Sequence, residues 1–554
     1  MKPSIILGII VSQLSLVKGD CLPQVDLGYE IHEALKYNDT TGLYTFSNIR
    51  YAQPPVGDLR FSAPKPPTGR NHVVQKGNGS IIMCPQGSPG WGSANSDFGH
   101  AFINGNLSDY NYTAEHAAQE LTTKKNAQTV LGLPGQTEDC LFLDVVVPRA
   151  VFERRNSKAK KAPVLVWMHG GGYIFGYKND VVDATDPAGL INASRSDGSD
   201  GFIYVSLNYR LGAFGWLAGP SLEAANGTAN AGLHDQHLAL QWVQKNIHLF
   251  GGDPNKVTLS GLSAGGGSTV HHITAYGGKK GPPPFARAFI NSPGYFPISS
   301  NFQAENITQY FLKFLNTSTI EQARKLPIRA LMEANIAHTS SVETNFVYGP
   351  AVDGDFVPAL PGLLLLSGNF HKNVDLLLSH TRYEGGEYSQ PFVQNDDDFK
   401  SLLHQLYPGI VDEVANYIIK DLYPGKGAVR TIDFMGDSIF ACNTNWLARA
   451  FANQTYNMQF NISPPFHGYD ESYIWHGYGR NNFGAPVIES LASLWQGYIT
   501  NFIKTGNPNG RGLPPFPQQG QNASANILTP EGIITGQDST AGNRCEWLQK
   551  GLFT

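Results

Sequence analysis

A serine flanked by glycines follows a short apolar run near the middle of the chain. The run Val257-Thr258-Leu259-Ser260 leads into Gly261-Leu262-Ser263-Ala264-Gly265, a G-x-S-x-G pattern. Such a pattern holds a serine hydroxyl on a sharp strand-to-helix turn, where small neighbours let the backbone pass close to other elements. An ordinary Gly/Ser turn would look similar, but the preceding strand favours a nucleophile at Ser263.

A second glycine run lies upstream of this serine. The apolar segment 164–168 is followed by His169-Gly170-Gly171-Gly172-Tyr173. Alone it could be a simple turn, but backbone N–H groups without a neighbouring Cβ can also stabilise an oxyanion. A serine that attacks an acyl carbon needs at least two such donors, one of them on the next residue, here Ala264. The two motifs together therefore predict acyl-transfer chemistry.

A nucleophilic serine needs a base, and the base needs a carboxylate that orients it. When the nucleophile stands in G-x-S-x-G, the chain order is Ser, then Asp or Glu, then His. The histidines after Ser263 are His271, His272, His338, His371, His380, His404, His467 and His476. Residue types do not choose among them, although His467 follows a proline pair and Glu384 lies on a glycine-rich turn. Glu387 is the nearest rival carboxylate.

Apolar, β-branched runs alternate with helix-patterned segments along the chain. The runs 164–168, 202–207 and 257–259 predict buried strands, and 238–250 predicts a helix with apolar residues three and four positions apart. This alternation indicates a mostly parallel sheet covered on both faces. No linker composition divides the chain, so we expect one large α/β domain with a site at the carboxyl ends of its strands.

Composition describes a large folded protein. The 554 residues are 41% hydrophobic and 11% aromatic, which is enough for a sizeable core. Acidic residues outnumber basic ones by 45 to 40, so nothing favours binding to a nucleic acid backbone. The five cysteines, Cys21, Cys84, Cys140, Cys442 and Cys545, lack the C-x-x-C pairing of a typical zinc site. We expect neither a metal nor another cofactor.

The first nineteen residues have the pattern of a signal peptide. Met1-Lys2 precedes an apolar stretch at 5–17, and Val17-Lys18-Gly19 places small residues before a cut after Gly19. A buried N-terminal helix would not need these flanks, and no later run reaches the roughly 18 apolar residues of a membrane helix. N-glycosylation sequons lie at Asn38, Asn78, Asn106, Asn111, Asn192, Asn226, Asn306, Asn316, Asn453, Asn461 and Asn522. We therefore expect a secreted glycoprotein with a signal peptide at 1–19 and one domain at 20–554.

The motifs resemble, in order, those of the type-B carboxylesterase/lipase family, which includes cholinesterases and secreted fungal lipases. Nearly all of the mature chain is covered. The matching segments are Asn48-Ile49-Arg50-Tyr51-Ala52-Gln53-Pro54-Pro55, Leu59-Arg60-Phe61, Glu138-Asp139-Cys140-Leu141-Phe142-Leu143, the glycines after His169, Asn208-Tyr209-Arg210-Leu211-Gly212, 230–243, the Ser263 turn, and Val352-Asp353-Gly354. The resemblance implies an α/β-hydrolase fold with a disulfide-closed flap.

The resemblance also implies roles for individual residues. It selects Ser263, Glu384 and His467 as a catalytic triad, and Gly171, Gly172 and Ala264 as the donors of a three-amide oxyanion hole. It implies a flap bridge between Cys84 and Cys140 and a second bridge between Cys442 and Cys545, which leaves Cys21 single. By the same resemblance, Arg60 with Glu138 and Arg210 with Asp235 form structural ion pairs.

Two differences from the cholinesterase sequences narrow the range of expected substrates. Leu262 replaces the glutamate before the serine, and Val130 and its neighbours stand where those enzymes have a tryptophan for quaternary ammonium. Choline esters are therefore disfavoured, and we expect a hydrolase of neutral carboxylic esters. A triacylglycerol lipase is the nearest alternative. A non-catalytic binding or adhesion protein on the same scaffold is an alternative of another class.

Overall fold

The strands of the protein are short at the chain's N-terminal end and longer in the middle. A computed structural model describes residues 22–77, 79–158, 160–179, 186–425, 427–477 and 487–554. Its strands are β1 Gln24–Asp26, β2 Ile31–Glu33, β3 Lys36–Asn38, β4 Leu43–Arg50, β5 Val74–Lys76, β6 Phe142–Pro148, β7 Ala162–Met168, β8 Ile203–Leu207, β9 Gly252–Leu262, β10 Arg287–Asn291, β11 Asp375–Thr381, β12 Tyr456–Phe460, β13 Ser524–Thr529 and β14 Gly532–Gln537.

Helices separate most of these strands. They are α1 Ser93–Ile103, α2 Tyr112–Leu131, α3 Arg149–Glu153, α4 Ala188–Ser194, α5 Gly212–Trp216, α6 Pro220–Ala224, α7 Ala231–Asn246, α8 Ala264–Thr274, α9 Asn301–Phe314, α10 Ile320–Arg324, α11 Ile328–Ser340, α12 Pro361–Leu366, α13 Asp396–Leu406, α14 Asp412–Tyr417, α15 Val429–Gly436, α16 Cys442–Ala450, α17 Glu471–Ile474, α18 Glu489–Thr505 and α19 Asn543–Leu548. Short 3-10 helices lie at Gly57–Leu59, Leu107–Asp109, Ile247–Phe250 and Ala275–Gly278, and π-helical turns at Ile418–Leu422 and Asp437–Ala441.

Eleven strands form one sheet in the order β14-β13-β12-β11-β10-β9-β7-β8-β6-β4-β3. The central pairings from β13 to β8 are parallel, and the outer pairings are antiparallel. A separate sheet has the order β1-β2-β5. The mostly parallel sheet predicted from the sequence is therefore confirmed, with antiparallel strands added at both edges.

Strand β7 explains why the central strands are apolar throughout. Val164 and Val166 pack with the core on the side of helices α7 and α8. Leu165 and Trp167, which point to the opposite face, pack with Trp495 of α18. Because both faces are covered by helices, each residue along the strand must be apolar, and the period-two alternation of a half-exposed strand disappears.

Some predicted boundaries were wrong. The helix expected from position 238 begins at Ala231, because the first two turns bury polar residues such as Asp235 that hide the apolar period. Strand β9 begins at Gly252 rather than Val257, since its first residues are polar and partly exposed. In both cases a buried or edge polar residue masks the apolar pattern on which the prediction rested.

Two disulfides cross-link the chain. Cys84 bonds to Cys140 and Cys442 bonds to Cys545, so both predicted pairings are confirmed. The first bridge closes a flap, defined here as residues 84–140, that carries helices α1 and α2. Cys21 lies outside the described residues, as does the predicted signal peptide at 1–19.

The predicted glycosylation sites lie mostly at the surface. Exposed sites are Asn38, Asn106, Asn111, Asn192, Asn226, Asn306, Asn316, Asn461 and Asn522. Asn453 is half-buried, and Asn78 lies outside the described residues. Within the described ranges, no helix combines the length and the apolar character that crossing a bilayer would need.

Candidate active site

Ser263 stands alone between strand β9 and helix α8. Its backbone has φ 57° and ψ −123°, a conformation that side-chain-bearing residues rarely adopt and that stores strain. Gly265 makes the turn possible, because a Cβ on it would lie 2.1 Å from the Met168 carbonyl oxygen. The sharp strand-to-helix turn predicted from G-x-S-x-G is therefore present, and Ser263 is 7% exposed.

The glycine run after β7 passes directly beside this serine. A Cβ on Gly170 would lie 3.2 Å from the Ser263 Cβ. Gly171 and Gly172 have φ values of +101° and +57°, which favour glycine. Ala264 is the first residue of α8. In the part of the chain that the structure describes, no acceptor takes a hydrogen bond from the N–H of Gly171, Gly172 or Ala264, which leaves all three as donors.

Glu384 and His467 are in direct contact. The Nδ1 atom of His467 lies 2.6 Å from Oε2 of Glu384. The other carboxylate oxygen accepts hydrogen bonds from the Thr381 N–H at 2.6 Å and from the Ser292 hydroxyl at 2.7 Å. Burial alone would raise the pKa of Glu384, but His467 and the two donors outweigh it and hold the pKa below its ordinary value. Glu384 is thus a carboxylate that fixes one nitrogen of the imidazole.

The second nitrogen of this imidazole remains available. Nε2 of His467 is buried and makes no hydrogen bond within the described residues. The loop that follows His467 passes Leu262, since a Cβ on Gly468 would lie 3.8 Å from the Leu262 side chain. The imidazole loop and the serine turn are therefore neighbours, although no hydrogen bond joins Ser263 to His467 in the described structure.

Five of the other histidines after Ser263 have different side-chain partners. His271 Nδ1 bonds to the Gly267 carbonyl and His272 Nε2 to Gln236. His338 contacts Tyr348, His380 contacts Asp538, and His404 contacts Asp412. The rival carboxylate Glu387 accepts a hydrogen bond from Ser96 of the flap. Within the described residues, His467 is thus the histidine that contacts Glu384, as the predicted pair requires, although His380 and His404 also contact carboxylates.

Aromatic side chains surround the imidazole. Phe440 lies 4.0 Å from the His467 ring and Tyr388 lies 5.3 Å from it, measured between centroids. Trp91 of the flap packs on Tyr388 at 5.2 Å. Phe98, which is also on the flap, is fully buried in a separate cluster with Ile432 on the body of the protein.

Two polar residues near the triad escaped the sequence analysis. Ser292 follows strand β10 and donates to Glu384. Asp470 is buried three residues after His467, and burial together with Glu384 raises its pKa to about 7. Ser292 could have been found from its position directly after a buried strand. Polar residues at the carboxyl ends of parallel strands lie along one edge of the sheet, where the site is expected.

The predicted structural ion pairs are confirmed. Arg60 contacts both carboxylate oxygens of Glu138 at 2.6 Å. Arg210 contacts both oxygens of the fully buried Asp235 at 2.8 and 2.7 Å. These bidentate pairs join segments that are far apart in sequence.

Cavity size does not identify the site. A cavity of about 1020 Å³ lies between α4 and α18 and is lined by none of the predicted catalytic residues. A smaller apolar groove of about 280 Å³ is lined by Phe296 and Phe346. Phe346 also packs against the oxyanion-hole loop, because a Cβ on Gly172 would lie 2.2 Å from its ring. The smaller groove is not lined by Ser263, Glu384 or His467 either, but through Phe346 it borders the glycine run after β7.

The protein is a carboxylic ester hydrolase with the α/β-hydrolase fold. Residues 33–538 match the model of the carboxylesterase family, and the chain belongs to this family. The carboxylesterase patB of Aspergillus clavatus is 38% identical over 549 residues, covering 96% of each chain. A secreted lipase of Arthroderma benhamiae is 36% identical, covering 75% of this chain and 83% of its own.

A solved structure supports the same assignment. The chain resembles the crystal structure of Aspergillus niger EstA with a TM-score of 0.76 and 25% sequence identity. The match covers 96% of this chain and 98% of that one. The resemblance therefore extends through the central sheet, the flap and the C-terminal helices.

Proposed function

We propose that the protein is a secreted serine esterase that cleaves neutral carboxylic esters through an acyl-enzyme intermediate. Ser263 is the nucleophile, and His467 accepts its proton at Nε2. Glu384 orients the imidazole through Nδ1 and stabilises the imidazolium. The observation that carries the proposal is the 2.6 Å contact between His467 and Glu384, combined with an Nε2 atom that no other group occupies in the described residues.

The oxyanion hole is proposed from backbone groups. The N–H groups of Gly171, Gly172 and Ala264 stabilise the negative charge that develops on the substrate carbonyl oxygen. Ser263 then carries the acyl group while His467 returns its proton to the leaving alcohol. Water attacks the acyl-enzyme by the same route in reverse, which releases the carboxylic acid and restores the serine.

A neutral substrate fits the charges and surfaces around the serine. Leu262, next to Ser263, carries no charge, and Phe440, Tyr388 and Trp91 supply aromatic surface near His467. A cationic ester would find no carboxylate at position 262, directly before the nucleophile.

A triacylglycerol lipase is a second candidate. The apolar groove beside Phe346 supports it, and one relative is named a secreted lipase. Short-chain p-nitrophenyl esters and tributyrin emulsions distinguish the two, because an esterase prefers the dissolved ester. Ser263→Ala should abolish turnover of both, and a Ser263→Ala variant that keeps its activity would refute the proposal.

Secretion is supported by independent features. Two disulfides are present, and the glycosylation sequons that the structure describes lie at exposed or half-buried positions. Disulfides of this kind persist in oxidising compartments. Recovery of the protein from culture medium, with its N-terminus at Asp20, is the expected result.

A further inference from the structure

One wall near the catalytic imidazole is polar, unlike the aromatic surfaces around it. Glu387 accepts a hydrogen bond from the Ser96 hydroxyl at 2.9 Å, and its carboxylate lies 3.9 Å from Nε2 of His100. The hydroxyl of Tyr469 lies 3.3 Å from the same His100 nitrogen. These residues come from three separate segments: the loop after Glu384, the loop after His467, and helix α1 of the flap.

This cluster is not needed to hold the triad. The hydrogen bonds to Glu384 come from His467, Thr381 and Ser292, and none comes from the cluster. The side chains of Glu387 and His100 are 24% and 40% exposed, so a ligand can reach both. Burial nevertheless raises the pKa of Glu387 above its ordinary value, because partial desolvation disfavours its charged form.

The position of the cluster points to the alcohol portion of an ester. In the proposed mechanism His467 delivers a proton to the leaving alcohol, so that part of the substrate lies on the imidazole side. Tyr469 is two residues from His467 on the same loop. The ring of Tyr388, the residue after Glu387, lies 5.3 Å from the His467 ring, and the ring of His100 lies 5.3 Å from that of Phe466, the residue before His467. The groove beside Phe346, in contrast, is mostly apolar and lies against the oxyanion-hole loop.

We propose that Glu387, His100 and Tyr469 form a subsite for a hydroxyl group on the alcohol portion of the ester. The inference rests on the proposed function and names its substrate class, the esters of polyhydroxy alcohols such as glycerol. A hydroxyl both donates and accepts hydrogen bonds, which suits a carboxyl, an imidazole and a phenol. A plain alkyl group there would desolvate these groups without replacing their hydrogen bonds to water.

The test compares two soluble butyrate esters with the same number of carbon atoms in the alcohol. Glycerol 1-monobutyrate carries the extra hydroxyls, and propyl butyrate lacks them. We expect wild type to favour the glycerol ester in kcat/KM, and Glu387→Leu to reduce that preference about tenfold or more, as expected when a hydroxyl loses its buried partner. Glu387→Gln, which keeps hydrogen-bonding atoms, should retain most of it. His100→Phe is a second variant if Glu387→Leu does not fold.

A matched control separates substrate recognition from anchoring of the flap. His116 of the flap lies 3.4 Å from Glu343 on the body, in an exposed pair. Glu343→Leu breaks this link, which is remote from the subsite, and should leave the substrate preference unchanged.

An equal loss of preference in Glu343→Leu would mean that flap anchoring sets it, and would overturn the inference. So would an unchanged preference in both Glu387→Leu and His100→Phe, or a wild-type enzyme that does not favour the glycerol ester. If Ser263→Ala abolishes cleavage of both esters while the preference is flat, only the inference fails. If Ser263→Ala stays active, the proposed function itself fails.

Discussion

Replacing Ser292 with alanine should destabilise the ionised form of the buried Glu384. The Ser292 hydroxyl donates to Glu384 at 2.7 Å, and the Thr381 N–H and His467 remain as partners. A hydrogen bond to a charged group contributes about 1.5–3 kcal/mol. Losing this donor should therefore raise the pKa of Glu384 toward its ordinary value.

The sign of the pH dependence of stability follows from the direction in which folding shifts the pKa of Glu384. The pKa of Glu384 is lower in the folded protein than its ordinary value, so its ionised form stabilises the fold at neutral pH. This stabilisation is lost as the pH falls through the folded pKa. Ser292→Ala should therefore lower the free energy of unfolding by about 1.5–3 kcal/mol at pH 7 and by less in acid, where Glu384 is protonated.

Urea unfolding at pH 7 and at pH 3, which is well below the ordinary Glu pKa of 4.5, measures this difference. Ser379→Ala is the matched control, because the buried Ser379 hydroxyl donates at 2.8 Å to the neutral amide oxygen of Asn291 and, in the described structure, does not hydrogen-bond to Glu384. It should cost about 1 kcal/mol at both pH values. The reasoning is refuted if Ser292→Ala has the same cost at both pH values, or if the two variants respond identically.

Further predictions concern the nucleophile, the turn and the flap. Ser263→Ala and His467→Ala should each remove most turnover, and kinetics of the double variant should show little further loss because triad members act as a unit. Gly265→Ala should lower the melting temperature and the activity together, since its Cβ would lie 2.1 Å from a backbone carbonyl oxygen; a variant with both unchanged would contradict the tight turn. Cys84→Ser with Cys140→Ser should lose about 4 kcal/mol of stability in the chain-entropy model and change the ratio of long- to short-chain ester cleavage; an unchanged chain-length profile would reject a substrate-shaping role for the flap.

The sequence predicted the parts of the site that depend on local patterns. The G-x-S-x-G turn and the glycines after β7 were identifiable because strain and close approach restrict which residues fit there. The local pattern did not identify the pair of Glu384 and His467, because these residues are 83 positions apart and several histidines were equally plausible by residue type. The family resemblance, rather than the pattern, made that choice.

Contacts across the fold set the limit of the prediction. Ser96 reaches Glu387 over 291 positions, and Ser292 reaches Glu384 over 92. The periodicity of a local sequence segment does not indicate such long-range pairs. Phe98 illustrates the same limit, because nothing in the sequence around it indicates that it is buried against Ile432, which lies far along the chain.

Covalent labelling tests directly whether Ser263 is the catalytic nucleophile. The folded protein is treated with a fluorophosphonate, which reacts with an activated serine, and the modified peptide is located by mass spectrometry. We expect one stoichiometric adduct on Ser263. It should be absent from Ser263→Ala, and it should form much more slowly in His467→Ala. Ester hydrolysis by folded protein that carries no adduct on Ser263, or carries it on another residue, would contradict the account.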